Sequence, residues 1–340
     1  MQDFFMDSLV FGAKSSFVFI LFSLLTFVMV YATVKALSGK DGKSTANPLL
    51  ENITVVNLTK EYRKAVRDVA SGVLSGKELE KFKKETAERR KESRSDEERH
   101  RLFVLDFDGD ISASQADTLG REIDVLLAIV TAKDEVMLRL NSPGGTVVGY
   151  GLAASQLMRL RSNGIRLTVC IDKMAASGGY MMACIANYIV AAPFAVVGSV
   201  GVVAEFPNFH RLLDKMNIDF EQETAGEFKR TLSVFGDNSD PKAREKFRKE
   251  LEQCHTLFKN HVSKYRPQVK IEEVATGEHW HAVDAMQYHL VDEIGTSNEF
   301  ITSKLDFLDV FEFRVKKKKG IKGLLQQASV LLDRATGKVR

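Results

Sequence analysis

The chain has 340 residues, with 48 Lys and Arg against 45 Asp and Glu, and 44% of its residues are hydrophobic. At about 150 residues per domain, this length allows two domains or one large domain with extensions. The net charge of +3 excludes a uniformly basic surface and argues against a nucleic-acid-binding protein. The apolar content excludes a chain that is disordered throughout.

Near the N-terminus, residues 15–34 carry no formal charge and are rich in Phe, Leu, Ile and Val. At about 1.5 Å per residue, a helix of this length crosses a bilayer core of about 30 Å. A cleaved secretory signal is the alternative, but Lys35 lies between Val34 and Ala36 and makes a poor cleavage site. We therefore predict that residues 1–40 form a membrane anchor that is retained.

The charges around this span predict its orientation. Lys35, Lys40 and Lys43 follow it, whereas Lys14 alone lies close before it. By the positive-inside rule, the following segment lies in the cytoplasm.

Residues 41–101 are predicted to form a charged spacer. Between residues 77 and 101 there are ten basic and eight acidic side chains, with Leu79 and Phe82 almost the only apolar ones. This pattern is typical of a solvated, salt-bridged helix or a flexible spacer. The acidic residues nearly cancel the basic ones, which again argues against nucleic-acid binding.

From residue 102 onward, apolar strands alternate with amphipathic helices, which indicates βαβ units and a parallel sheet. We predict one α/β catalytic domain over residues 102–300. The predicted elements, in chain order, are a strand at 102–105, a helix at 119–130, a strand at 136–140, a helix at 147–161, a strand at 165–171, a helix at 209–216, a strand near 218–221 and a long helix that begins at Asp240-Pro241.

Residues 174–204 form an uncharged stretch of 31 residues that a hydropathy window could take for a second membrane span. Gly178-Gly179, Asn187, Pro193 and the turn at 198–201 interrupt it. Because parallel strands are apolar on both faces, we interpret this stretch as helix, strand and turn in the domain core.

The three cysteines, Cys170, Cys184 and Cys254, form no CxxC pair and lie in apolar surroundings. We interpret them as buried thiols rather than as a disulfide framework or metal cluster. His279 and His281 flank the single tryptophan, but without a third ligand they do not define a metal site.

Two loops, residues 141–145 (Asn-Ser-Pro-Gly-Gly) and 175–179 (Ala-Ala-Ser-Gly-Gly), each follow a predicted strand and precede a predicted helix. Glycines there bring bare N–H groups close to a ligand, and a helix N-terminus adds a positive field. Such a pair of loops could hold an oxyanion. Ser177, between small residues, is a possible nucleophile for acyl transfer.

A nucleophilic serine needs a base, and the residues alone leave its identity open. No histidine after Ser177 has a setting that singles it out; these histidines are His210, His255, His261, His279, His281 and His289. A lysine made neutral by burial is the alternative, with Lys173 and Lys229 as candidates.

Four motifs occur in an order that resembles the signal-peptide peptidase A (protease IV) family, and the whole chain is similar to its SohB-type membrane serine peptidases. They are residues 141–145 (NSPGG), 176–180 (ASGGY), 198–201 (GSVG) and 226–229 (GEFK). The resemblance covers about residues 102–295. It implies a Clp/crotonase-like fold with repeated ββα-type units, preceded by an N-terminal transmembrane helix.

The same resemblance implies a serine–lysine dyad, with Ser177 as nucleophile and Lys229 as general base. Ser199 corresponds to a family hydroxyl that hydrogen-bonds the lysine. Gly178 and one of Gly144 and Gly145 would supply the oxyanion hole. Such an endopeptidase needs no metal or other cofactor.

Relatives assemble into oligomers in which serine and lysine meet across neighbouring catalytic domains. With one catalytic repeat, this chain is therefore expected to form a homo-oligomer that acts on peptides or proteins at a membrane, including signal-peptide remnants. The resemblance places it in a bacterial inner membrane with a periplasmic catalytic domain, in conflict with the positive-inside count. Two rival functions remain, a non-proteolytic membrane scaffold and a crotonase-type acyl-thioester enzyme.

Residues 301–340 are predicted to form a C-terminal tail. Lys316 to Lys319 precede apolar residues at helical spacing, from Ile321 to Leu332. The tail could be an ordinary surface helix, a lipid contact or an oligomer contact.

Overall fold

The computed structural model describes residues 53–92 and 100–315. The predicted membrane span at 15–34 and the basic tail from residue 316 lie outside the described residues. The strands are β1 (Ile53–Asn57), β2 (Arg101–Asp108), β3 (Glu135–Asn141), β4 (Arg166–Ile171), β5 (Met174–Ala176), β6 (Tyr188–Ala191), β7 (Val196–Gly198), β8 (His279–His281), β9 (Glu293–Ile294) and β10 (Asp309–Val315). The α-helices are α1 (Leu58–Val73), α2 (Gly76–Glu92), α3 (Ala116–Leu127), α4 (Val147–Ser162), α5 (Gly178–Ala183), α6 (His210–Lys215), α7 (Pro241–Tyr265), α8 (Ile271–Val274), α9 (Ala282–Ala285) and α10 (Ser297–Lys304).

A seven-stranded sheet in the order β1-β10-β2-β3-β4-β6-β9 forms the centre of the fold. All neighbouring strands are parallel except β1 and β10. The strands β2, β3 and β4 alternate with α3 and α4 along the chain, as the hydrophobic pattern predicts. The α/β class expected from the sequence is confirmed.

Apolar side chains cover both faces of this sheet. On one face, Leu102, Val104 and Met137 join a buried cluster with Ile301 and Leu305. On the other face, the rings of Phe107 and Tyr150 pack edge to face, with centroids 6.3 Å apart. Burying such a side chain contributes about 1.5–3 kcal/mol, so these two layers hold the parallel strands together.

The sheet also includes residues from the predicted spacer and the predicted tail. β1 pairs with β10 from Ile53↔Val315 to Asn57↔Phe311, and β10 pairs in turn with β2. The salt-bridged helix expected in the charged segment is α2, where Lys81 pairs with Glu85 and Lys83 with Glu80.

The uncharged stretch 174–204 forms β5, α5, β6 and β7, and most of its residues are buried. Its prediction as part of the core is confirmed. Across residues 53–92 and 100–315, no helix combines the length and apolarity that a bilayer crossing requires.

A second sheet, in the order β5-β7-β8, lies beside the first. The two sheets are joined where the Ser142 N–H donates to the Met174 carbonyl (2.8 Å) and the Ala176 N–H donates to the Ser142 carbonyl (3.0 Å). This connection brings the loop after β3 against the loop after β5. The two glycine loops of the sequence therefore lie side by side.

The prediction of a strand near residues 218–221 is wrong. The chain between α6 and α7 forms no strand, and side-chain bonds hold its turns, such as Asn208 Nδ2 to the carbonyls of Ser233 and Gly236 (both 3.1 Å). Phe220 packs on Phe235 rather than on a sheet. An apolar alternation predicts a strand only where a neighbouring strand can pair with its backbone, and this segment has none among the described residues.

Candidate active site

Ser177 lies between β5 and α5 in a conformation that is rare for a residue with a side chain, at φ 51° and ψ −118°. Its N–H donates to the Gly198 carbonyl (2.8 Å), and its own carbonyl accepts from the Met181 N–H (2.9 Å). Such a conformation costs about 1–3 kcal/mol and persists only where the surroundings impose it. The turn is therefore built to present this one side chain.

The loop after β3 approaches Ser177 closely. Gly144 has φ +89°, and a Cβ there would come within 2.7 Å of the Ser177 Cβ and 2.8 Å of the Gly178 nitrogen. A Cβ on Gly178 would fall on the ring of Tyr150. Glycine is required at both positions, because the Ser177 loop leaves no room for a side chain at Gly144 and the Tyr150 ring leaves none at Gly178.

The N–H groups of these loops differ in what they contact. The Gly144 N–H donates to the buried Oγ of Ser142 (3.0 Å). No acceptor among the described residues takes the N–H of Gly145 or of Gly178, the first residue of α5. The Gly179 N–H likewise has no acceptor among these residues, but Gly145 and Gly178 are the glycines with free donors that line a cavity with Ser177.

Ser177, Gly178, Gly145 and Ser199 line one cavity of about 470 Å³. Part of its wall is apolar, contributed by Val147, Met181, Val202, Val203 and Phe258. A cavity with a hydroxyl, free N–H donors and an apolar wall suits a ligand with a carbonyl next to an apolar side chain.

Ser199 also lies in a left-handed conformation, at φ 53°. Its N–H donates to the Glu278 carbonyl (2.6 Å), and its Oγ lies 3.4 Å from the Gly277 carbonyl. Its hydroxyl thereby lies at the wall of the cavity that contains Ser177, and its predicted hydrogen bond to the lysine stays a prediction.

The two candidate lysine bases lie outside this cavity. Lys229 is exposed in the segment between α6 and α7, and its N–H donates to the Gly226 carbonyl (3.1 Å). Lys173 follows β4 and lines a different cleft, which also contains Glu122 and Arg139. Within the part of the chain that the structure describes, the Ser177 hydroxyl has no hydrogen-bond partner.

Among the six histidines after Ser177, His255 lines the cavity. Its Nε2 is buried and has no hydrogen-bond partner among the described residues. Its position on α7, next to Cys254 on the predicted inward face, is the signal in the sequence that could have separated it from the other histidines. His261 instead bonds the Met181 carbonyl (2.9 Å), and burial lowers its pKa.

The buried thiols fit the expectation for Cys170 and Cys184, whereas Cys254 is partly exposed at the cavity. Burial raises the pKa of both Cys170 and Cys184. Within residues 53–92 and 100–315, no three His, Cys, Asp or Glu side chains are grouped so as to hold a metal ion.

Comparison with known protein families assigns the chain to a class of serine peptidases. The model described as "Peptidase family S49 N-terminal" matches residues 3–157, and the one described as "Peptidase family S49" matches residues 159–310. The chain belongs to peptidase family S49. The resemblance inferred from the four motifs is confirmed.

Curated relatives place the chain beside the SohB type of this family. A "Probable protease SohB" of Haemophilus influenzae is 53% identical over 230 residues, 68% of this chain and 65% of the relative. One of Buchnera aphidicola subsp. Schlechtendalia chinensis is 56% identical over 203 residues, 60% of this chain and 66% of the relative. The match thus spans slightly less than two thirds of each relative.

A solved structure of the 1510-N membrane-bound stomatin-specific protease, a lysine-to-alanine mutant in complex with a substrate peptide, is also similar. The similarity covers 67% of this chain and 96% of that chain, with 13% sequence identity and a TM-score of 0.42.

Proposed function

We propose that this chain is a membrane-anchored serine endopeptidase in which Ser177 is the nucleophile and Lys229 the general base. The observation that carries the proposal is the strained Ser177 turn, which opens into one cavity with the free N–H groups of Gly145 and Gly178. Membership of family S49 supports the reaction class, and the Clp/crotonase-like fold implied by the motifs agrees with the α/β sheet.

In the proposed reaction, neutral Lys229 accepts the proton of the Ser177 hydroxyl as the oxygen attacks a peptide carbonyl carbon. The carbonyl oxygen becomes an oxyanion that the Gly145 and Gly178 N–H groups stabilise. Collapse breaks the C–N bond, and Lys229 returns the proton to the leaving amine. Water then hydrolyses the acyl-enzyme by the same steps, and the Ser199 hydroxyl orients the lysine.

The lysine is proposed to come from a neighbouring copy of the chain. In a single copy, Lys229 is exposed and is not part of the Ser177 cavity. Several large apolar side chains on α6 and in this segment are exposed as well, including Leu212, Met216, Phe220 and Phe228. A second chain packed on this segment would cover these side chains and desolvate the lysine, which favours its neutral form.

The proposed substrates are peptides or proteins at a membrane, including signal-peptide remnants, cleaved next to small or apolar residues. The apolar part of the cavity wall, which includes Val147, Met181 and Phe258, supports this preference. The proposed location is a bacterial inner membrane, with residues 15–34 as the anchor. A reporter fused after Lys43 distinguishes a periplasmic from a cytoplasmic catalytic domain.

Active-site labelling tests the proposal directly. A fluorophosphonate should label Ser177 in the full chain, and both Ser177→Ala and Lys229→Ala should lower peptide hydrolysis by about 10³-fold or more. Lys270→Ala is the matched control, because Lys270 is an exposed lysine whose side chain pairs with Glu273. Full activity in either dyad variant would refute the assignment.

The same experiment separates the rival functions. An acyl-thioester enzyme would keep its activity in both dyad variants, because its oxyanion hole does not need a serine nucleophile. A membrane scaffold would show no label at all. Chelators should leave hydrolysis unchanged, since no step uses a metal.

A further inference from the structure

Four polar groups form a hydrogen-bonded series beside the glycine loops: the Gly144 N–H, the Ser142 hydroxyl, the Tyr150 hydroxyl and the Asp110 carbonyl. Ser142 and Tyr150 are fully buried, and the Ser142 Oγ lies 2.5 Å from the Tyr150 hydroxyl. The Gly144 N–H donates to the Ser142 Oγ (3.0 Å), and the Tyr150 hydroxyl donates to the Asp110 carbonyl (2.8 Å).

The number of protons available determines which group donates in each of these hydrogen bonds. A carbonyl oxygen only accepts, so the single proton of the Tyr150 hydroxyl goes to Asp110. The Ser142 hydroxyl must then donate to Tyr150, which leaves the Ser142 lone pairs to accept from the Gly144 N–H. Burial raises the pKa of Tyr150, so this hydroxyl keeps its proton across the working pH range.

These hydrogen bonds fix one side of the loop that contains Gly145. On the other side, the Thr146 N–H donates to the Ile111 carbonyl (2.8 Å). The peptide between Gly144 and Gly145 therefore lies between two peptides that are each fixed by a hydrogen bond. Because glycine has wide conformational freedom, a Gly-Gly loop without such bonds would not aim its N–H in one direction.

Tyr150 also supports the second glycine loop. Its ring occupies the space where a Cβ of Gly178 would lie, and the Ser142 backbone bonds both Met174 and Ala176 just before Ser177. The two residues thus contact both loops; Ser142 lies outside the lining of the Ser177 cavity, whereas Tyr150, although fully buried, forms part of its wall.

We infer that Ser142 and Tyr150 are positioning residues of the oxyanion hole: Tyr150 orients the Ser142 hydroxyl, which occupies the Gly144 N–H and thereby directs the Gly145 N–H toward the carbonyl oxygen of the substrate. This inference rests on the proposed peptidase function. A donor fixed before the reaction stabilises the developing charge without reorganisation, which is the main source of oxyanion-hole catalysis.

The kinetic test uses Ser142→Ala and Tyr150→Phe in the full chain. Loss of one oxyanion donor typically lowers kcat about 10²–10³-fold, so we expect a misdirected donor to lower kcat about 10- to 100-fold. KM should stay within about twofold, because the effect lies in the transition state. Inhibition by a peptide aldehyde, which forms a tetrahedral adduct, should weaken in parallel with kcat.

Tyr180→Phe is the matched control. Tyr180 is fully buried like Tyr150, and its hydroxyl donates to a single backbone carbonyl, that of Leu290 (3.0 Å). It should lose comparable stability without the change in kcat. An equal loss of kcat in Tyr180→Phe, or a rise in KM alone in Tyr150→Phe, would overturn the inference.

The double variant tests whether the hydroxyls act as one chain. If they do, Ser142→Ala/Tyr150→Phe should be no slower than the more severe single variant. Multiplied losses would show two independent effects and would contradict the inference.

Hydrogen exchange supplies a readout that does not depend on activity. The Gly144 amide should exchange slowly in the wild-type chain and at least about 10-fold faster in Ser142→Ala, because its acceptor is gone. Unchanged exchange would refute the positioning role. If the wild-type protein is folded and its Gly144 amide exchanges slowly but it does not hydrolyse peptides, the proposed function is refuted. The hydrogen bonds of Ser142 and Tyr150 would still be supported by that result.

Discussion

The carboxyl group of Glu122 shows how the fold changes the chemistry of one residue. Glu122 is 1% exposed, and its Oε1 has no hydrogen-bond partner among the described residues. Burial, with a smaller contribution from the nearby Asp106 carboxylate, raises the pKa of Glu122 to about 8. The folded chain therefore holds this proton at neutral pH, where the unfolded chain has lost it.

The sign of the pH dependence follows. Between the ordinary Glu pKa near 4.5 and about 8, the unfolded chain loses its proton first, so the free energy of unfolding falls as the pH rises. We expect a loss of at most about 1.4 kcal/mol per pH unit across this window. Glu122→Gln should remove it in urea denaturation at pH 5 to 8, whereas the exposed control Glu252→Gln should not. Parallel curves for wild type and Glu122→Gln would contradict the prediction.

Gly144 is the second residue whose role depends on its exact surroundings. In Gly144→Ala, the new Cβ would press on Ser177 and Gly178 from a backbone at φ +89°. We expect peptide hydrolysis to fall at least about 10²-fold, because the oxyanion donors are displaced. Gly151→Ala is the control: it has open space around it on α4, and alanine there should stabilise the helix by up to about 1 kcal/mol. Equal activity in both variants would contradict the close packing of the two loops.

At the scale of elements, a buried ion pair anchors the end of α7. Arg266 is 2% exposed; it donates to both carboxylate oxygens of Asp292 (2.7 and 2.8 Å) and to the His289 carbonyl (2.7 Å). Asp292 also accepts from the Ile189 N–H of β6 (2.7 Å). The pair thus connects a helix, a strand and the turn before β9.

Removing Asp292 should destabilise the protein, because Arg266 would then be a buried charge without a counter-charge. We expect Asp292→Ala to lower the free energy of unfolding by about 3–5 kcal/mol, since Arg266 would remain buried without its carboxylate. Glu273→Ala removes the exposed pair with Lys270 and should cost less than about 1 kcal/mol. Similar unfolding midpoints for the two variants in urea would refute this role.

The predictions of helices and strands are correct where a short sequence pattern is typical of a single local structure. Asp240 before Pro241 predicts the start of α7, and Asp240 does cap it by accepting from the Lys242 N–H (2.9 Å). The pattern near Ile218 fails because apolar residues there pack on one another outside any sheet. Periodic apolar residues indicate that one face of a segment is buried, but they do not indicate which part of the protein packs against that face.

At the scale of the whole molecule, the separation of Lys229 from the Ser177 cavity has a measurable consequence. If the dyad forms between chains, Ser177→Ala and Lys229→Ala chains are each inactive alone but complement each other. Mixing them under conditions that permit subunit exchange should restore about a quarter of wild-type activity at equal amounts, as expected for random pairing into sites. Absence of any restored activity would place both residues of the dyad in one chain.

The exposed apolar side chains of α6 and of the segment between α6 and α7 provide the matching structural test. Leu212→Asp and Phe220→Asp should lower both the assembled mass in size-exclusion chromatography and the rate of hydrolysis, because a charge opposes burial at an interface. Leu257→Asp is the control, since Leu257 is also an exposed apolar side chain but lies on α7, outside this region. Loss of mass without loss of activity would contradict a shared site.

By itself, the sequence determined the α/β class, the order of β2, α3, β3, α4 and β4, the start of α7, and the position of Ser177 in the second of two glycine loops. These follow from local periodicity, from capping residues and from motifs in which only glycine fits. The tertiary structure alone decided that β1 and β10, separated by about 250 residues, complete the sheet. It also decided that Ser142 occupies the Gly144 N–H, that His255 faces the cavity and that Lys229 does not. Such relations depend on which backbone and side-chain groups meet after the chain folds, and the spacing of residues along it does not encode them.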